Sequence, residues 1–217
     1  MDPLDFVNLT ALMEGTTGST EIRVGLIDGP VWLSHPDLSG ANVHEVPGKS
    51  GGACSQAASV ACTHGTFVAG VLAARRGSSA PSICAGCTLL VRPIFSETAH
   101  GNRGMPSATP EELAEAIVAS ADAGAHVINL SSALGRSSPK GDSKLEAALN
   151  YSARRGAITV AAAGNQGSVG SSAITRHPWV IPVAACNARG RPLPESNLAS
   201  SIGRRWLSAP GHGIISL

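Results

Sequence analysis

Aromatic side chains are scarce in this chain, with Phe, Trp and Tyr together making up 3 % of its 217 residues. That excludes a stacking platform for single-stranded nucleic acid, which needs several of them. Charge is sparse too: Asp, Glu, Lys and Arg amount to 14 %, against roughly 25 % in ordinary soluble domains. Sixteen basic and fifteen acidic residues leave a net charge of +1, too little to steer nucleic acid or anionic lipid. With 43 % hydrophobic residues, neither charge-driven disorder nor a coiled coil is expected. No apolar run approaches the roughly 18 residues of a membrane span. The opening MDPLDFVNLT carries two acids and no basic residue, unlike a secretory signal, so a cytoplasmic location is expected. The acids are scattered, so no calcium or other metal site and no cofactor are expected. No internal repeat is evident.

What the chain has in plenty is glycine (25) and proline (14). Its five cysteines, at 54, 62, 84, 87 and 186, are odd in number and spread out. Free or structural thiols are the favoured reading, in keeping with a reducing compartment. A disulfide and a zinc site built from Cys54, Cys62, Cys84 and Cys87 are the alternatives. The spacing of the first pair is not that of a usual zinc module. Cys84 and Cys87 also form a CAGC pair, but it precedes a strand where a redox motif would open a helix. Gly48-Lys49-Ser50 lacks the glycine that a phosphate loop would need at position 43, where Val43 stands. The arginine pairs 75–76 and 154–155 fall at predicted helix ends, where they complement the helix dipole.

Residues 1–20 read as a tail or linker, and 21–217 as one domain. EIRVGLI (21–27) is a β-branched apolar run stopped at Asp28-Gly29-Pro30, a strand and a turn. Residues 36–63 are loop-rich. From His64, apolar residues recur at helical spacing. Strands then alternate with helices: TLLVRPIF (88–95), HVINLS (126–131), AITVAAA (157–163) and VIPVAA (180–185). One helix is capped by Thr109, with Pro110, Glu112 and a closing Gly124; another runs from Ser143, with Glu146, to Gly156. This alternation predicts an α/β domain: a mostly parallel sheet with helices on both faces.

In such sheets, sites form outside the carboxyl ends of the strands. Asp28 follows the first strand, His64 opens the helix THGTFVAGVLAA, and Asn165 follows ITVAAA. Each alone reads as a turn former, a cap or a loop residue. Together they suit a division of labour in which a carboxylate fixes a histidine tautomer, the imidazole acts as base, and a carboxamide donates to a developing oxyanion.

These segments resemble the subtilisin-like serine peptidases: VGLIDGPVWLSHPDLSG around Asp28, THGTFVAGVLAA around His64, AHVINLSSALG (125–135) and ITVAAAGNQG around Asn165. HPWVIPVAA (177–185) and WLSAPGHGI (206–214) extend the likeness over about 21–217. The resemblance implies that Asp28 orients His64, that His64 is the general base and that Asn165 supplies the oxyanion-hole amide. It also implies that Ser131, Ser132, Ala133, Leu134 and Gly135 pair with an extended peptide substrate. Within the family, IRVGLIDGPV, VRPIFSE (91–97) and AGAHVINLS (123–131) are most similar to the cyanobactin maturation proteases, which cut precursor peptides inside the producing cell.

One part of the pattern is missing. The family carries its nucleophile in a Gly-Thr-Ser motif that opens a helix downstream of the segment resembling WLSAPGHGI. No Gly-Thr-Ser occurs in these 217 residues, so the expectation is a subtilisin-like domain without its serine-bearing helix and with an apolar face left open. A serine endopeptidase whose serine comes from a complementing C-terminal segment is one reading. The alternative is a catalytically inactive peptide-binding or regulatory pseudoprotease. Either takes a peptide or protein as its partner, and neither involves nucleic acid or membrane.

Overall fold

The computed structural model describes residues 2–49, 51–97, 108–131, 143–198 and 206–217. Among them the chain runs through α1 (Pro3–Phe6), α2 (Thr10–Gly15), β1 (Arg23–Asp28), β2 (Asn42–Glu45), α3 (Val60–Ala73) and β3 (Thr88–Pro93). It continues through α4 (Pro110–Asp122), β4 (Val127–Leu130), α5 (Ser143–Arg154), β5 (Ile158–Ala162), β6 (Val180–Cys186) and β7 (Leu207–Pro210). The strands form one sheet in the order β2-β3-β1-β4-β5-β6-β7, and every neighbouring pair is parallel.

The alternation of β1 explains why both faces are covered. Val24 and Leu26 point to one side, where they join Ala69 and Ala73 of α3 and Leu89 and Val91 of β3. Ile27 points to the other, with Ile117 of α4, Ile128 and Leu130 of β4, and Leu145 and Leu149 of α5. Strands buried on both faces read as continuous apolar runs, which is how RVGLI and TLLV look in the sequence. Each such side chain, fully buried, contributes about 1.5–3 kcal/mol. The α/β sheet expected from the strand–helix alternation is the one observed.

Local signals account for α4. Thr109 accepts from the Glu112 amide while Glu112 reaches back to the Thr109 amide, Pro110 occupies the first turn, and Gly124 follows with φ +82°. In α5, Ser143 is itself helical and so not a cap. α3 begins earlier than expected, because Ser59 caps it by accepting from the Cys62 amide at 3.2 Å. His64 therefore lies in the second turn instead of opening the helix. Residues 36–63, read as loop, contain β2, a short edge strand whose polar sequence NVHE gives little periodicity.

Residues 1–20, expected as a tail, hold the two short helices α1 and α2. Arg76 donates to the carbonyls of Met13 and Thr16, and Thr88 Oγ1 donates to the carbonyl of Thr20 at 2.7 Å. The cysteines correct the favoured reading: Cys54 and Cys62 form a disulfide, while Cys84, Cys87 and Cys186 are free. The two cysteines lie only eight residues apart, but an odd number of spread-out cysteines gives no framework that would single out one pair. Among the described residues no helix is long and apolar enough to cross a membrane.

Candidate active site

The site is built where the sheet changes winding direction. From β1 the chain crosses one way to β2 and β3, and from β4 it proceeds the other way to β5 and β6, so β1 and β4 flank a crevice at their carboxyl ends. Asp28 closes β1, opposite Pro93 of β3. Ser131 follows β4 and donates its amide to the Ile27 carbonyl at 3.4 Å. Asn165 lies three residues beyond the end of β5, exposed.

Asp28 is fully buried. Its Oδ1 accepts from the Gly29 amide at 2.6 Å and from His64 Nδ1 at 2.7 Å. Accepting at Oδ1 fixes the imidazole proton on Nδ1, which leaves Nε2 of the neutral ring as a base. Among the described residues Asp28 Oδ2 is buried without a hydrogen-bond partner. The His64 side chain stays 37 % exposed, so its free edge is reachable. The hydrogen bond to Asp28 raises the imidazole pKa above its ordinary value, burial opposes that rise, and the charge of Asp28 adds to it.

Two glycines allow this contact. A Cβ on Gly29 would overlap the carbonyl of Ala61 in α3, and a Cβ on Gly65 would come within 2.5 Å of the carbonyl oxygens of Gly29 and Pro30. The helix backbone thus rests directly on the end of β1, bringing His64 onto Asp28. Glycine within a helix costs about 1 kcal/mol relative to alanine, and Gly65 carries that cost at the point of close approach. Thr66, one residue further on, accepts from the Trp32 amide at 2.9 Å and ties the loop after β1 to the same helix.

The segment leading into α3 is pinned from two sides. The disulfide joins Cys54 to Cys62, two residues before His64. Glu97 accepts from the amides of Ser55 (3.1 Å) and Gln56 (2.9 Å), from the Ser59 hydroxyl (3.0 Å) and from the Ser55 hydroxyl. Burial opposes its charge, but these hydrogen bonds prevail and hold its carboxyl below the ordinary range. Cys54, Cys62 and Glu97 lie within metal-ligand reach of one another, yet the disulfide and these hydrogen bonds occupy them. Cys84 of the CAGC pair is not an activated thiol. Burial and then the neighbouring Cys87 push Cys84 up to about 12, away from the thiolate that redox chemistry needs.

The arrangement brings Asp28 and His64 into contact and sets Ser131 and Asn165 on the same carboxyl edge of the sheet. The Ser131 hydroxyl accepts from Asn129 Nδ2 at 2.6 Å. Ser132, Ala133, Leu134 and Gly135 lie outside the described residues.

Comparison with known proteins gives the family of the chain. The model of the subtilase family matches residues 19–216. A thermophilic serine proteinase from Bacillus sp. (strain AK1) is 34 % identical over 203 residues, covering 93 % of this chain and 46 % of its own length. Thermitase from Thermoactinomyces vulgaris is 31 % identical, covering 89 % of this chain and 64 % of its own length. The chain thus spans about half to two thirds of these relatives. A point mutant of the protease domain of PatA superposes with a TM-score of 0.81 at 32 % identity, over 89 % of this chain and 68 % of that one. The prenylagaramide maturation protease PagA superposes with a TM-score of 0.82 at 27 % identity, over 96 % and 69 %. The chain belongs to the subtilase family.

Proposed function

We propose that this chain carries the acid, base and oxyanion groups of a subtilisin-type serine endopeptidase that processes a ribosomal precursor peptide. The observation that supports it most is the 2.7 Å hydrogen bond from His64 Nδ1 to the buried Asp28, with the imidazole edge left accessible. A pure peptide binder has no chemical use for a buried carboxylate that orients an imidazole. In this reading His64 Nε2 takes the proton of a serine hydroxyl as the oxygen attacks the scissile carbonyl. The Asn165 carboxamide donates to the oxyanion, and His64 returns the proton to the leaving amine. The serine is contributed by a Gly-Thr-Ser segment outside these 217 residues, in the same chain or in a second one. Precursor processing is supported by the structural relatives, PagA and PatA, which are described as maturation proteases. Residues 131–135 would hold the substrate strand by backbone pairing.

The test is peptide turnover by a form that carries the Gly-Thr-Ser segment after Leu217. Asn165→Ala is expected to lower kcat by about a hundred- to a thousandfold, with little change in KM. His64→Ala is expected to leave only the residual rate of binding and the oxyanion hole. Turnover unchanged in both variants would exclude the proposed set.

A further inference from the structure

Asn165 is exposed on the loop after β5, so the direction of its carboxamide depends on how firmly that loop is held. One side chain spans the loop on both sides of it. Asn197 Oδ1 accepts from the Gln166 amide (3.1 Å), the Ser168 amide (3.0 Å) and the Ser168 hydroxyl (3.0 Å). Its Nδ2 donates to the Ala163 carbonyl (3.1 Å) and to Gln166 Oε1 (2.6 Å). The Asn197 amide donates to the Gly164 carbonyl at 2.8 Å. Residues 163, 164, 166 and 168 are therefore all tied to one residue, and Asn165 sits in the middle of the strap.

The strap is itself anchored. The neighbouring Ser196 is buried, and its hydroxyl accepts from the Ala185 amide of β6 at 3.0 Å. Backbone bonds from Gly167 to Glu195 (2.8 Å), from Leu198 to Ser168 (2.9 Å) and from Gly170 to Leu198 (2.7 Å) run beside it. These do not involve the Asn197 side chain and would survive its loss. Only an amide offers both an acceptor for three donors and a donor pair for two acceptors from one short stem.

We propose that Asn197 is a positioning residue that holds Asn165 in the orientation oxyanion stabilisation requires; this rests on the role given to Asn165 above. The test is 15N relaxation and amide exchange on the 217-residue chain. In Asn197→Ala, exchange at the Gln166 and Ser168 amides is expected to rise by about tenfold. The Asn165 order parameter is expected to fall from a rigid value of about 0.85 to below about 0.6, with β1 and β4 unchanged. Asn187→Ala is the control, because Asn187 braces a different turn through the amides of Arg189 and Arg191; it is expected to leave Asn165 rigid. An Asn165 order parameter unmoved by Asn197→Ala, or lowered equally by Asn187→Ala, overturns the proposal. If Asn197→Ala does not fold, Asn197→Asp decides. It keeps the acceptor contacts to Gln166 and Ser168 and loses the two donated bonds, so Asn165 loosens if the strap acts and stays rigid if it does not. Turnover indifferent to Asn165→Ala would sink the oxyanion role while leaving these relaxation data as they are.

Discussion

His64 carries the most chemistry in the smallest space. Its hydrogen bond to Asp28 raises the imidazole pKa above the ordinary 6.5. In a 13C-edited titration its midpoint is expected above 6.5, and Asp28→Asn should bring it down to 6.5 or lower, because burial then acts alone. A midpoint that did not move on that substitution would mean the pair is not coupled. The sign for stability follows. Asp28 favours protonated His64 in the folded state, so its contribution is complete below about pH 6.5 and is lost as pH rises through the higher folded value. Catalysis runs the opposite way, since the base form works, and kcat/KM should climb through that same folded value. Asp28, His64 and Asn165 were legible in the sequence because each stands in a recognisable local run. Gly29, Gly65 and Asn197 matter just as much to the geometry but were not singled out. A glycine's closest neighbour, or an asparagine strapped to a loop some thirty residues away, has no local signature.

At the level of elements, α3 and its lead-in decide the site. Gly65→Ala should push the helix away from the end of β1, costing about 1–3 kcal/mol as an overpacked contact. The same variant should return the His64 titration towards its ordinary value. Stability lost with the titration unmoved would show that the close approach serves packing alone. Reducing the Cys54–Cys62 disulfide opens a loop whose ends are eight residues apart and should lower unfolding free energy by about 2–3 kcal/mol, read by denaturant titration with and without reductant. Glu97 and the Ser59 cap remain in place, so α3 should stay folded. Elements with strong local codes were readable in advance: α4 through its capping box, and β1 and β3 through their apolar runs. The start of α3, β2 and β7 were not. The first is set by a cap four residues before the small-residue run, and the other two are short edge strands whose pairing partners lie elsewhere in the chain.

On the scale of the whole molecule, the parallel sheet gathers Asp28, Ser131 and Asn165 along one edge, from strands that are neighbours only after folding. The C-terminus ends on the same assembly: Ser216 Oγ donates to the Phe67 carbonyl at 2.7 Å, and Leu217 packs with the core that includes Ala69 and Ala73 of α3. A segment joined to Leu217 therefore starts beside α3, the helix that holds His64. The central claim is that acid, base and oxyanion donor are here and the nucleophile is not. Intact-mass analysis after treatment with a fluorophosphonate probe tests it most directly. The 217-residue chain should take up no adduct, while the chain completed by a Gly-Thr-Ser segment should take up one, lost on His64→Ala. A single adduct on the 217-residue chain itself, abolished by His64→Ala, would place a nucleophile within these residues and contradict the account.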